Sequence, residues 1–124
     1  MANILVVEDY RDNRNVVELI LRDAFHEVNS ASDGAIGLAL ALNSLPDLVL
    51  MDLAMPNIDG WEATRRLKAN PRTSHIPVIA FTAQMDSAAL EQAVLAGCAA
   101  VIAKPFEIDV LLDQINACLA LSAQ

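Results

Sequence analysis

A chain of 124 residues with a net charge of −8 fits one compact domain, residues 1–124, and leaves no room for a second. With 55% hydrophobic and 19% charged residues it can bury a sizeable core, which excludes a disordered chain. From Thr73 onward the only Lys or Arg is Lys104, against Asp86, Glu91, Glu107, Asp109 and Asp113, so this surface repels phosphate backbones and argues against direct nucleic-acid binding.

Short apolar runs alternate with helix-period stretches along the whole chain. Ile4 to Val7 reads as a first strand, buried on both faces because its apolarity is continuous rather than alternating. Asp12 is placed as the N-cap of a helix whose stripe is Val16, Val17, Ile20, Leu21 and Ala24. A weaker edge strand covers Glu27 to Ala31. Asp33 can cap a second helix, rich in Ala and Leu, that runs to about Asn43. Leu48 to Met51 is the third strand, and Asp59-Gly60 opens a third helix that ends near Asn70-Pro71. Ile76 to Phe81 is the fourth strand. A fourth helix follows from about Asp86 to Ala96, stopped by Gly97. Ala99 to Ala103 is the fifth strand. The last helix starts after Lys104-Pro105 and turns Ile108, Leu111, Leu112, Ile115 and Leu119 inward.

Five βα units with right-handed crossovers give a parallel sheet with helices on both faces. The expected fold is an α/β, flavodoxin-like (βα)5 doubly wound sheet of strand order 2-1-3-4-5. In such a sheet the ligand site lies beyond the carboxyl ends of the strands, where the first and third diverge.

Cys98 and Cys118 lie far apart in apolar surroundings, with no Cys or His spacing suited to zinc, and are read as buried free thiols. No stretch reaches the length of a membrane span, and no basic segment precedes the first apolar run. The expectation is a cytoplasmic protein that binds no membrane.

The strand ends carry the chemistry. The first strand runs into Glu8-Asp9, the third into Asp52, the fourth into Thr82 and the fifth into Lys104. Taken singly, each is more often ordinary: an Asp caps a helix, a Lys-Pro makes a turn, a Thr bonds locally. Together at the ends of central or near-central strands they converge on one pocket. Three carboxylates there repel one another, and a divalent cation with hard oxygen ligands, Mg²⁺, offsets the repulsion. The metal and Lys104 together match a phosphoryl group, and the Thr82 hydroxyl can donate to the same oxygens.

Ile4 to Asp9 (ILVVED), Pro46 to Asp52 (PDLVLMD), Met55 to Gly60 (MPNIDG), Pro77 to Ala83 (PVIAFTA) and Lys104-Pro105-Phe106 resemble the receiver family of two-component signalling. The similarity covers essentially the whole chain, and is closest to stand-alone receivers of the chemotaxis and cell-division type. The resemblance implies that Asp52 is the phosphoacceptor. It implies that Asp9, Asp52 and the backbone carbonyl of Ala54 ligate Mg²⁺, and that Glu8 acts through a metal-bound water. Lys104 would pair with the phosphoryl group. Thr82 would swing toward it, and the backbone N–H groups of Ala54 and Ala83 would complete the cradle. Pro105 would follow a cis peptide bond. The implied donor is a sensor histidine kinase or a histidine phosphotransfer protein. The implied output is a downstream protein bound through the fourth helix, fifth strand and fifth helix. A receiver is not an enzyme on other substrates; it assists only its own phosphorylation and dephosphorylation.

The pattern departs from the family at one point. Three residues before the lysine the family usually has an aromatic ring that turns inward as the threonine moves; here it is Val101. Signalling is therefore expected to rely on the loop from Thr82 to Asp86 and on the fourth helix. Ala54 and Gln84 occupy positions that tune phosphoryl lifetime in the family, in a direction the sequence leaves open. Trp61 is expected to pack structurally and Phe106 to be a core or interface anchor. His26 and His75 are expected in loops or on the surface, outside the pocket. Two other functions compete. A phosphorylation-independent interaction module keeps the fold without the chemistry. A phosphohydrolase with an aspartyl-phosphate intermediate, like the haloacid dehalogenase enzymes, needs an acid two residues after its nucleophile, where this chain has Ala54. A nucleotide or flavin site is weaker still, without a Gly-rich phosphate loop.

Overall fold

The computed structural model describes residues 2–53, 60–83 and 86–122. Five parallel strands, β1 (Asn3–Val7), β2 (Glu27–Ala31), β3 (Leu48–Asp52), β4 (Val78–Thr82) and β5 (Ala100–Ala103), form one sheet in the order β2-β1-β3-β4-β5. Helices α1 (Arg11–Asp23), α2 (Gly34–Ser44), α3 (Gly60–Ala69), α4 (Ser87–Ala96) and α5 (Ile108–Ser122) connect and follow them. This is the flavodoxin-like (βα)5 arrangement expected from the sequence.

Three of the apolar runs became the central strands β1, β3 and β4 because each contributes side chains to both faces, and the fourth became the edge strand β5. On one face Ile4, Val6, Leu48, Leu50, Ile79 and Phe81 pack with Val17 and Leu21 of α1 and Leu111 and Ile115 of α5. On the other, Leu5, Val7, Val49, Met51 and Val78 pack with Ala41 of α2 and Ala63 and Leu67 of α3. The alternation of a strand extends this parity to its ends. Glu8 and Asp52 continue the α1/α5 face, and Thr82 continues the other. Register brings them level, with Val7 opposite Met51, Asp52 opposite Phe81 and Thr82 opposite Ala103.

Local capping follows the sequence at Asp33 and Gly97, and Asp86 also caps α4. Asp33 accepts from the Ile36 N–H and Asp86 from the Ala89 N–H, both at 2.8 Å. Gly97 ends α4 at φ 97°, a left-handed conformation that glycine adopts without steric cost. Three expectations need correction. Asp12 is not the cap of α1: Tyr10 occupies that position without a side-chain bond, its carbonyl accepts from Arg14 N–H at 2.9 Å, and Asp12 sits in the first turn, where its charge still favours the helix dipole. Ile108 is 53% exposed and Val16 52%, because both line an open groove between α1 and the start of α5 rather than the packed core. The fourth strand pairs from Val78 rather than Ile76, since Pro77 has no N–H to give to a ladder.

His75 is exposed, as expected, but His26 is partly buried between α1 and β2. Its Nδ1 accepts the Ala2 N–H at 3.1 Å, so that nitrogen must be unprotonated. Burial first, and the chain's terminal ammonium second, hold the imidazole below its usual 6.5. The unfolded chain therefore binds the proton more readily. The contribution to stability is present above pH 6.5 and is lost as pH falls below it through the folded-state value. The ring is partly exposed, so solvent screening keeps the effect small. Urea midpoints on either side of pH 6.5 should show a slope in the wild type that His26→Gln lacks; equal slopes in the two would remove the histidine from the account.

Burial also raises both thiols, Cys98 and Cys118, above the ordinary cysteine value, which fits inert free cysteines. No helix among the described residues is long and apolar enough to cross a membrane.

Candidate functional site

Asp52 is the last residue of β3 and is 3% exposed. Glu8, one residue past β1, is fully buried, and the adjacent Asp9 points to the exposed side of the same turn. Ligand oxygens of Glu8, Asp9 and Asp52 all lie within 4.8 Å of one another. Lys104, one residue past β5, reaches across from the far side of β4. Its Nζ stands 3.3 Å from Glu8 Oε1 and 3.3 Å from Asp52 Oδ1. The Lys104-Pro105 peptide bond is cis, as expected, and the Lys104 N–H donates to the Thr82 carbonyl at 2.8 Å.

The formal charges are three negative and one positive. A divalent cation would bring the sum to zero. Glu8 Oε2 is buried without a hydrogen-bond partner, although its neighbour Oε1 is held by Lys104. A buried carboxylate oxygen left unbonded is costly. Its position beside two further carboxylates fits a hard cation, or a water on one, as the missing partner.

Thr82 is 6% exposed at the end of β4, on the sheet face opposite Glu8 and Asp52. Ala83 is exposed beside it, and Val101 is half-buried in β5. Ala54 and Gln84 lie outside the described residues. Trp61, half-buried near the start of α3, agrees with a packing role.

Two features of the site were not read from the sequence. Arg14 Nη1 donates to the Glu8 carbonyl at 2.9 Å and so fixes the turn that presents Glu8 and Asp9. The ring of Phe81 lies under the Lys104 ammonium, 4.8 Å from Nζ to the ring centroid, and meets Phe106 edge to face at 6.5 Å. The strand parity that puts Phe81 on the face of Asp52 could have revealed the first of these contacts. The rings line a groove of about 400 Å³ between α1 and the start of α5, beside Glu8 and Lys104.

Buried acids, a bridging lysine and a threonine at these strand ends coincide with a family match. The sequence pattern of the response regulator receiver domain matches residues 4–116. The chain belongs to the response regulator receiver family. It is thus a phosphorylation-dependent signalling switch of the two-component type. The receiver is 38% identical over 120 residues to protein PilH of Pseudomonas aeruginosa, covering 97% of this chain and 99% of that one. It is 40% identical over 111 residues to the response regulator PleD of Caulobacter vibrioides, covering 90% of this chain but only 24% of PleD. Among solved structures it is similar to a CheY-like response regulator receiver domain protein from Methanospirillum hungatei (TM-score 0.93, 25% identity, 99% of this chain and 97% of that one). It is also similar to the receiver domain of a sensor histidine kinase from Pseudomonas aeruginosa, solved with a magnesium ion in its active-site cleft (TM-score 0.90, 32% identity, 96% and 98%).

Proposed function

We propose that Asp52 is the phosphoacceptor and that Glu8, Asp9 and Asp52 hold Mg²⁺ together with the backbone carbonyl of Ala54. The observation that carries this is Lys104 bridging Asp52 and Glu8 at 3.3 Å, while the second Glu8 oxygen is buried and unbonded. When bound, the cation supplies charge neutralisation and alignment of the transferring oxygens. An Asp52 carboxylate oxygen forms the new bond to phosphorus, the phosphorus–nitrogen bond of a partner's phosphohistidine breaks, and the imidazole keeps the electron pair and takes up a proton. Lys104 holds the charge that accumulates on the phosphoryl oxygens. The Thr82 hydroxyl and the N–H groups of Ala54 and Ala83 donate to those oxygens once they are in place.

The donor is a sensor histidine kinase or phosphotransfer protein, and the site lies in the cytoplasm. Output runs through a protein partner on α4, β5 and α5, where Val94 and Leu95 of α4 are 74% and 78% exposed and Val110 of α5 is 45% exposed. The domain, residues 1–124, acts on no substrate but its own aspartate.

Intact mass after incubation with acetyl phosphate tests this. The wild type is expected to gain one phosphoryl group with Mg²⁺ and none with a chelator, and Asp52→Asn none under either condition. An adduct that survives Asp52→Asn would overturn the assignment. No adduct in the wild type, together with no response to beryllofluoride, would favour the phosphorylation-independent module.

A further inference from the structure

A pair of rings, Phe81 and Phe106, lies on the sheet face shared by Asp52 and Glu8 and under the Lys104 ammonium. Phe81 is buried in β4 directly before Thr82 and opposite Asp52 in register. Its carbonyl accepts the Leu53 N–H at 3.3 Å, which ties its backbone to the residue after Asp52. Lys104 Nζ stands over its ring at 4.8 Å. Phe106 meets Phe81 at an interplanar angle of 73° and follows Lys104 by two residues.

We propose that Phe81 and Phe106 form an aromatic relay that reports occupancy of Asp52 to the groove between α1 and α5. The inference rests on the phosphoacceptor reading of Asp52. Lys104 is shared equally between Glu8 and Asp52. A phosphoryl group on Asp52 adds oxygens of higher charge and draws the ammonium toward them. The ammonium cannot move without changing its place over the Phe81 ring. Phe106 touches that ring edge-on, and its own backbone is joined to Lys104 through Pro105, so it receives the change from both directions. The groove it lines is walled by Val16 and Ile20 of α1 and by Ile108 of α5.

The chain has three phenylalanines, and the third, Phe25, is 76% exposed at the end of α1, outside the groove. Protein labelled with 4-fluorophenylalanine therefore carries its own control. With Mg²⁺ and beryllofluoride, the Phe81 and Phe106 fluorine resonances are expected to shift and that of Phe25 to stay. The same spectrum shows protein-bound beryllofluoride, which reports loading independently. In Phe81→Leu, loading should persist while more than half of the Phe106 shift disappears. Bound beryllofluoride with an unmoved Phe106 resonance overturns the relay and leaves the Asp52 reading intact, and this arm needs only the wild type should Phe81→Leu fold poorly. A Phe106 shift that survives loss of the Phe81 ring also overturns it. No bound beryllofluoride, with no Asp52 adduct by mass, overturns the phosphoacceptor reading and the relay with it.

Discussion

Gly60→Ala is expected to destabilise the domain by about 2–3 kcal/mol. A Cβ at Gly60 would overlap the Asp52 carbonyl oxygen and come within 2.6 Å of Leu53 Cα and 2.9 Å of the Asp52 carbonyl carbon. These are backbone atoms of β3 and the turn after it, so no side chain can rotate out of the way. Alanine is the better helix former and would return about 1 kcal/mol within α3. The steric term wins, because relieving it means lifting the start of α3 off the sheet. That shift would disturb the Gly60 N–H bond to the Leu53 carbonyl at 3.3 Å and the Thr64 hydroxyl bond to the Gly60 carbonyl at 2.7 Å. Urea unfolding of the variant measures the loss directly. Phosphorylation by acetyl phosphate should slow in the fraction that stays folded, since the displaced backbone is that of Asp52. Wild-type stability with alanine in place would mean that α3 does not start against β3 as described.

Lys104→Met is expected to cost about 2–3 kcal/mol without divalent cation and clearly less with saturating Mg²⁺. Methionine keeps most of the apolar stem and removes the charge. What remains is a fully buried Glu8 and a nearly buried Asp52 with no ammonium between them. Breaking a buried ion pair costs about 3–5 kcal/mol, and the 24% exposure of the Lys104 side chain lowers that figure through solvent screening. Mg²⁺ binds the variant's folded state and neutralises the same carboxylates, so it offsets the loss by mass action. Parallel urea titrations with Mg²⁺ and with a chelator measure the difference. A deficit of the same size under both conditions would show that cation and lysine do not act on the same carboxylates. Phosphoryl uptake at Asp52 in the Mg²⁺ buffer should fall sharply, because the variant lacks the ammonium that stands 3.3 Å from Asp52 Oδ1.

Much of the fold was legible because its signals are local. A strand buried on both faces must be apolar throughout, so Ile4 to Val7 and Leu48 to Met51 could be read without neighbours. Asp33 and Asp86 needed only an N–H three residues on, and Gly97 only a helix to end. Asp12 misled because Arg11 and Tyr10 are also able to begin a helix, and the first intrahelical bond decides between them. Ile108 misled because its spacing from Leu111 and Ile115 is correct for a buried stripe, but it is the first residue of α5 and lines the open groove toward α1.

By itself the sequence determined the order of βα units, hence a parallel sheet, and which residue types stand at its strand ends: Glu8, Asp9, Asp52, Thr82 and Lys104. Only the tertiary structure decided how these residues share the site. Glu8 is sealed in while Asp9 next to it is exposed, although their carboxylate oxygens lie within 4.8 Å of each other. Lys104 lies 96 residues from Glu8, and nothing short of the β1-β3-β4-β5 register places its ammonium between two carboxylates and over Phe81. Strand-end identity is a property of short segments. The distances that give it chemistry depend on four segments paired at once, and no local pattern encodes them.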